Sequence, residues 1–500
     1  MRWELDWIAN RARLSPDSIA VVEGEAGIRF TYYELNKRAE SLAAHLLSLN
    51  IGKGDRVALL SANDVGYFDL LFACGKIGAI FVPLNWRLSS TEIAYILSNC
   101  TPKLLVLSTK FESLVTNKGS QRILNIDSEE YEQVTNRPTG SFKSEDTIVE
   151  TDPLAIIYTG GTTGKPKGVV LSHQSIMWNG LNTILSWNLS AEDVTLTYMP
   201  MFHTGGLNAL SIPILMMGGK VVIANDFKPD RAIEIINQEC CTIVLLVPTM
   251  YHLIVNSASF KDETFPTMHT FLSGGAPCPL EIYQAFEEKG LSFKEGYGLT
   301  EAGPNNFFID PNISRFRRGS VGKAMLFNDV KIVDSKGEEA DVGEVGELLI
   351  RGKHVFQRYW NNPQATNEAY KNGWLHTGDL ARRDGEGYHY IVGRKKEMII
   401  TGGENVYPLE VEQCISQHSL VSEVAVIGVP HEKWGEMVVA VVSLMPDASC
   451  TQEELIEFCK LKIGKYKIPK KFIFVDEIPK THVGKIDKNF LQKTYHNKVG

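Results

Sequence analysis

Residues 158–169 read YTGGTTGKPKGV, a crowd of glycines, threonines and two lysines held between apolar, β-type runs. The run before it is LAIIYT (154–159) and the run after it GVVLSH (168–173). Glycine removes the Cβ penalty and lets backbone N–H groups turn toward an anion. Threonine hydroxyls add donors, and lysine adds a cationic head on a flexible stem. A short glycine cluster is ordinarily a solvated turn. The crowding of donors and cations here favours a polyphosphate cradle instead. The flanking strands then limit which fold can carry it. Walker A requires G-x-x-x-x-G-K-[ST], but Gly164-Lys165 is followed by Pro166, which has no hydroxyl. A Rossmann turn requires G-x-G-x-x-G between a strand and a helix. Here a strand leads to a strand, so neither of the common nucleotide folds applies.

The 500 residues exceed what one hydrophobic core supports, so several subdomains are expected. Residues 30–49 open with Thr31 and Glu34, a T-x-x-E capping box, and continue with apolar residues at helical spacing. RVALLSA (56–62), IFVPLN (80–85) and KLLVLS (103–108) read as buried strands, with helical patterns between them. Such alternation predicts βαβ units and a mainly parallel sheet. It resumes after the glycine loop in VTLTYMP, KVVIAN, CTIVLLVP and HTFLSGGAP. Ligand loops of open α/β sheets lie at the carboxyl ends of strands, where Gly274-Gly275-Ala276 and Glu295-Gly296-Tyr297 fall.

From about Ser320 the runs shorten and end in glycine turns: VKIVD, GELLIRG and GYHYIVGR. They predict an antiparallel segment, a small barrel or distorted sheet. The charge cluster GRKKE (393–397) interrupts it, and the last hundred residues read as a separate α+β unit. The expected division is therefore a mixed α/β domain over 1–395 and a smaller α+β domain over 396–500.

Net charge −8 argues against a nucleic-acid surface. The charged start MRWELD has no apolar h-region, and no uncharged apolar run approaches the roughly 18 residues of a span. We therefore expect a cytoplasmic protein. Its 8 cysteines form no C-x-x-C and its 12 histidines no zinc spacing, so a structural metal is not expected.

Four further motifs carry chemistry. EGYGLTEAG (295–303) places the Tyr297 ring between glycines, followed by a hydroxyl, Thr300, and a carboxylate, Glu301, of the kind that holds Mg²⁺ beside a triphosphate. HTGD (376–379) sets Asp379 after a glycine turn, where a carboxylate can accept from ribose hydroxyls. KTHVGK (480–485) ends in Lys485 on a glycine-containing loop. PMFHTGG (200–206) carries His203, either a pocket wall or a satisfied core imidazole.

These motifs, with GRKKEMIITGGENVYP (393–408), occur in the order and approximate spacing of the adenylate-forming superfamily, which the chain resembles from residue 30 to residue 485. That superfamily includes acyl-CoA synthetases, aryl-CoA ligases, luciferases and peptide-synthetase adenylation domains. The resemblance implies attack of a carboxylate on the α-phosphate of Mg·ATP, giving acyl-AMP and pyrophosphate. Coenzyme A then displaces AMP. It implies that Thr159, Gly160, Gly161, Thr162, Thr163, Gly164, Lys165 and Lys167 form the phosphate loop. Gly274, Gly275 and Ala276 would line the adenine site, Tyr297 would stack near adenine, and Glu295 and Gly296 belong to the same ATP-binding motif. Thr300 would touch the α-phosphate, Glu301 hold Mg²⁺, and Asp379 and Arg394 bind the ribose. Lys485 would bridge the carboxylate and α-phosphate as a full cation. Lys396 would be the hinge of a swinging C-terminal domain, with Gly402 and Gly403 bordering the thiol tunnel. One residue departs: the family's loop usually reads YTSGTTG, and Gly160 lacks that hydroxyl.

The resemblance also bears on the acid. In peptide-synthetase domains the counterpart of His203 is an Asp that pairs with an α-amino group, so α-amino acids are disfavoured. In acetyl-CoA synthetases the counterpart of Gly298 is a pocket-shortening Trp; glycine is expected to leave the pocket open to longer acids. The segments Trp434-Gly435-Glu436 and GENVYP look most like bacterial fatty acyl-CoA synthetases. An aryl, succinylbenzoate or dicarboxylate ligase is the alternative, and a silent nucleotide-binding protein the reading from another class. The implied partners are a small-molecule carboxylic acid, ATP and coenzyme A. The basic run Arg315-Phe316-Arg317-Arg318 is a candidate contact with an anionic membrane surface, a solvated loop being its ordinary reading, and the chain is expected as a monomer or homodimer.

Overall fold

The apolar runs of the first 160 residues become strands buried on both faces. In the computed structural model, which describes residues 3–116, 121–140, 142–160, 165–481 and 486–496, strands Arg56–Leu60, Ile80–Pro83, Leu104–Leu107 and Pro153–Thr159 are almost wholly covered. They sit in a seven-stranded sheet ordered Arg358–Tyr359, Lys167–Ser172, Pro153–Thr159, Ile80–Pro83, Arg56–Leu60, Leu104–Leu107, Arg122–Asn125. From Pro153–Thr159 outward to Arg122–Asn125 the strands run parallel, as their two-sided burial requires. Lys167–Ser172 instead folds back antiparallel on Pro153–Thr159.

Helix Tyr32–Ser48 begins at Thr31 with the capping box to Glu34 in place. Its Leu35, Ala39, Leu42 and Leu46 are fully buried, the i, i+4 stripe of a core-facing helix. Arg38 shares that buried side. Its guanidinium grips Asp69 of helix Gly66–Ile77 with Nη2–Oδ2 at 2.8 Å and Nε–Oδ1 at 3.1 Å. Tyr131 adds a hydroxyl donor to Asp69 at 3.1 Å.

A second sheet, ordered Ile28–Thr31, Ile19–Glu23, Lys220–Ile223, Val194–Thr197, is parallel except at its first strand. A third comprises Ile243–Leu246, Thr270–Ser273 and Phe293–Glu295, all parallel. Leu246, Ser273 and Glu295 are lateral neighbours, so the three strands end level and their loops leave from one edge. The segment from Phe307 to Arg394 forms the expected antiparallel sheet. Register shifts at Ser320/Gly322, Glu347/Leu349 and Leu380/Ala381 distort it.

Beyond Arg394 a five-stranded sheet forms from Ile399–Thr401, Glu404–Val406, Val421–His431, Gly435–Leu444 and Lys471–Phe474. Its two faces bury separate clusters, one around Val411, Val426 and Leu455, the other around Ile427, Val439 and Leu491. Both clusters draw only on residues from Ile399 onward. Among the described residues no helix is long and apolar enough to cross a membrane.

The Arg38–Asp69 pair supplies a stability prediction. Arg38→Ala leaves a carboxyl buried at 0% exposure without its cation, and is expected to cost about 3–5 kcal/mol in chemical denaturation. Replacing both residues together, Arg38→Met with Asp69→Leu, is expected to recover more than half of that loss.

Candidate active site

The antiparallel hairpin fixes the ends of the glycine loop: Thr159 pairs with Lys167 across it. Gly161, Thr162, Thr163 and Gly164 lie outside the described residues. Gly160 is exposed, and among the described residues a Cβ built on it meets nothing within 4 Å. The backbone therefore does not require glycine there. Lys165 is exposed, with Nζ 5.7 Å from the Tyr95 ring centre. Lys167 Nζ lies 5.1 Å from the ring centre of Tyr359. That tyrosine pairs with Val169 from the neighbouring strand.

Gly274, Gly275 and Ala276 leave the level edge of the third sheet, and Gly275 takes φ +85°, a left-handed conformation that favours glycine. Glu295, at the end of the next strand, does not face a ligand as expected. It is buried, accepting from the Tyr283 hydroxyl at 2.6 Å and the Cys278 backbone N–H at 3.2 Å. Its carboxylate thus anchors the end of the 274–278 loop from behind. Burial pushes its pKa up to about 7, with the two hydrogen bonds opposing.

After Glu295 the chain folds back on itself. Leu299 N–H donates to the Gly303 carbonyl at 3.2 Å and Asn306 N–H to the Tyr297 carbonyl at 3.1 Å. Inside this turn a Cβ on Gly298 would stand 2.1 Å from the Pro304 carbonyl oxygen. Gly298 thus has a backbone reason to be glycine, beside the open pocket expected of it. Backbone approach demands the glycine, and a side chain there would spread the turn before it reached any pocket. The turn places Thr300, which is buried, and Glu301 on a short 3-10 helix. Glu301 Oε1 accepts from the Tyr359 hydroxyl at 2.7 Å. Burial raises the Glu301 pKa, while that hydrogen bond and the charges of Arg394 and Lys167 pull it back.

Asp379 and Arg394 face each other across paired strands Trp374–Arg383 and His389–Arg394, joined Nε to Oδ1 at 2.6 Å. The other Asp379 oxygen accepts from Tyr297 at 2.5 Å. The hydroxyl of Tyr297, the expected neighbour of adenine, thus holds Asp379, and its ring meets Phe307 edge-on at 5.8 Å. Both expected ATP carboxylates are therefore held by tyrosine hydroxyls. The sequence reading overlooked Tyr359, because an aromatic in RYWNNP looks like ordinary core until the strand pairing sets it beside Glu301.

The remaining expected residues are dispersed. His203 caps a short helix, Thr204–Leu207, with Nδ1 accepting from Gly205 N–H at 3.1 Å. Lys396 is exposed on a 3-10 turn directly after the His389–Arg394 strand. Gly402 and Gly403, at φ +60° and +87°, form the two-residue turn between Ile399–Thr401 and Glu404–Val406. Gly402 N–H also donates to the Trp434 carbonyl at 2.7 Å. Lys485 lies outside the described residues.

This geometry generates three predictions. Gly298→Ala is expected to lower pyrophosphate release about 100-fold for acids of every length, since it displaces Thr300 and Glu301. Gly160→Ser should stay within about twofold of the parent in the same assay. For Glu295, the unfolded carboxyl titrates near 4.5 and the folded one near 7, so the folded state holds the extra proton in that window. Stability is therefore fully present below pH 4.5 and declines toward pH 7. Relative to Glu295→Gln, the parent should lose about 3 kcal/mol across that range in denaturant titrations.

Residues 8–360 match the AMP-binding enzyme family, and residues 410–485 match the AMP-binding enzyme C-terminal domain. The chain is 36% identical over 490 residues to a feruloyl-CoA synthase of Amycolatopsis sp, covering 98% of each. It is 35% identical over 500 residues to a long-chain-fatty-acid–CoA ligase of Mycobacterium tuberculosis, covering 98% of this chain and 97% of that one. Among solved structures, ATP-bound MatB from Rhodopseudomonas palustris superposes with a TM-score of 0.92 at 31% identity, covering 99% of this chain and all of that one. The chain belongs to the AMP-binding, adenylate-forming enzyme family and is an AMP-forming acid–thiol ligase that uses ATP, Mg²⁺ and coenzyme A.

Proposed function

We propose that the protein joins a carboxylic acid larger than propionate, in the first instance a medium- or long-chain fatty acid, to coenzyme A through an acyl-adenylate. The observation that carries the reaction is the grouping of Glu301, Lys167 and the Asp379–Arg394 pair, whose charges act on one another around the strand ends. In this reading Thr159 to Lys167 take the β- and γ-phosphates, and Asp379 with Arg394 take the ribose hydroxyls. Thr300 donates to the α-phosphate. The oxygen donor of Glu301, half-buried beside Thr300, fits a hard cation such as Mg²⁺. When bound, that ion neutralises charge on the triphosphate. Lys485 aligns the acid carboxylate with the α-phosphorus, where a P–O bond forms as pyrophosphate leaves. The coenzyme A sulfur then attacks the acyl carbonyl and AMP departs with the bonding pair. No covalent enzyme intermediate is needed, so positioning and charge stabilisation carry the rate. Between the two steps residues 396–500 turn about Lys396, bringing Gly402 and Gly403 to the thiol path.

The acid is constrained in two ways. His203 spends Nδ1 on the Gly205 N–H and offers no anion for an α-amino group, which supports a substrate without one. Similarity to the long-chain-fatty-acid ligase supports the fatty-acid reading. A second reading, an aryl acid bearing a hydroxyl or N–H, is favoured by a buried amide lattice. It links the segment after His203 to the one after Gly298. Asn179 Nδ2 donates to the Asn208 carbonyl at 2.8 Å, and Asn305 Nδ2 donates to the Ala209 carbonyl at 2.7 Å. Among the described residues the buried Oδ1 atoms of Asn179 and Asn208 meet no donor, and a polar substrate group can satisfy such atoms.

Both readings are tested by measuring pyrophosphate and AMP release across a panel of acids, with and without coenzyme A. Thioester formation confined to straight-chain acids of six carbons or more supports the first reading; preference for hydroxylated benzoates or cinnamates supports the second and overturns the first. Lys485→Ala should abolish acyl-AMP formation in either case, and normal pyrophosphate release from it would refute its assignment.

A further inference from the structure

Tyr359 touches both charges that a magnesium–triphosphate pair has to meet. Its hydroxyl donates to Glu301 Oε1 at 2.7 Å, and the ammonium of Lys167 lies over its ring, 5.1 Å from the centre. The ring that makes both contacts is fixed by packing. Tyr359 is 9% exposed. Its backbone pairs with Val169, two residues beyond Lys167 on the phosphate-loop hairpin. Its N–H donates to Thr366 Oγ1 at 3.0 Å, and its ring packs edge-on against Phe356 at 4.9 Å. Phe356 in turn donates its N–H to the Glu301 carbonyl at 2.8 Å. One short segment, 356–359, thereby clasps Glu301 by backbone and by side chain, and is stitched to the hairpin that carries Lys167.

We propose that Tyr359 is the positioning residue of the metal–triphosphate clamp: its hydroxyl fixes the Glu301 carboxylate by one oxygen, leaving the other for a divalent cation, while its ring seats Lys167. Among the described residues, Tyr359 is the one whose side chain donates to the Glu301 carboxylate, and the backbone N–H of Glu301 itself is the other donor. The carboxylate is thus oriented before any ligand arrives, which lowers the ordering cost of binding a cation there. The lysine is oriented in the same way by a contact that survives partial desolvation. The inference rests on the reading of Glu301 as the metal-holding carboxylate.

Tyr359→Phe keeps the ring and removes only the hydroxyl, so it separates the two contacts. ATP binding is measured by calorimetry in EDTA and in rising Mg²⁺. We expect Tyr359→Phe to bind ATP in EDTA as the parent does, and to need about tenfold more Mg²⁺ for half of the metal-dependent gain, the loss of one charge-assisted hydrogen bond. Tyr359→Leu, which also removes the ring, should weaken ATP binding in EDTA as well. Unchanged Mg²⁺ dependence in Tyr359→Phe overturns the proposal. Glu301→Gln serves as the control: if it leaves Mg²⁺ dependence unchanged, the assignment of the metal to Glu301 has failed instead. A double Glu301→Gln, Tyr359→Phe variant should be no worse than Glu301→Gln alone. Additive losses would show that the hydroxyl acts elsewhere and would also overturn the proposal.

Discussion

The backbone at Gly298 lies so close to the Pro304 carbonyl that a methyl group between them would sit 2.1 Å from its oxygen. The turn closed by this contact sets where Tyr297, Thr300 and Glu301 stand, and through them where Asp379 and Tyr359 meet their partners. The level ends of the three parallel strands bring the chain to that turn, and the buried Glu295 carboxyl keeps the adjoining 274–278 loop in place. The site is therefore built on rigid strand ends and close backbone contacts, with few long side chains asked to find their own places.

Electrostatics complete what the backbone begins. Glu301 and Asp379 are acids drawn away from water, and each is held by a tyrosine hydroxyl at one oxygen. Arg394 answers Asp379 directly and acts on Glu301 at longer range, together with Lys167. Charges kept in a partly desolvated site act more strongly on a bound nucleotide than the same charges in water. They also need no rearrangement at the moment of reaction, which is where preorganised sites gain their rate.

Local signals gave the elements well. The Thr31/Glu34 capping box starts its helix, the runs at 56–62, 80–85 and 103–108 become parallel strands, and the glycine loop does join two strands of one hairpin. These features depend on neighbours in sequence, so propensity, periodicity and capping reveal them. Roles left incomplete by sequence share the opposite property. Glu295 looked like a ligand residue because it stands beside Gly296 and Tyr297, yet strand alternation and Tyr283 turn it inward. Gly298 looked like open space because a glycine has no side chain, yet Pro304, six residues on, already fills that space.

The sequence by itself determined that a glycine- and threonine-rich loop joins two strands and that the family's motifs stand in order. Those properties are written in residue type and short spacing. Only the tertiary structure decided which partner holds each acid, why Gly298 is glycine, and that Tyr359 stands between Glu301 and Lys167. Such facts depend on contacts across 58 residues, from Glu301 to Tyr359, and across 82, from Tyr297 to Asp379. No local pattern encodes them, because sheet register and backbone approach fix them only after the chain has folded.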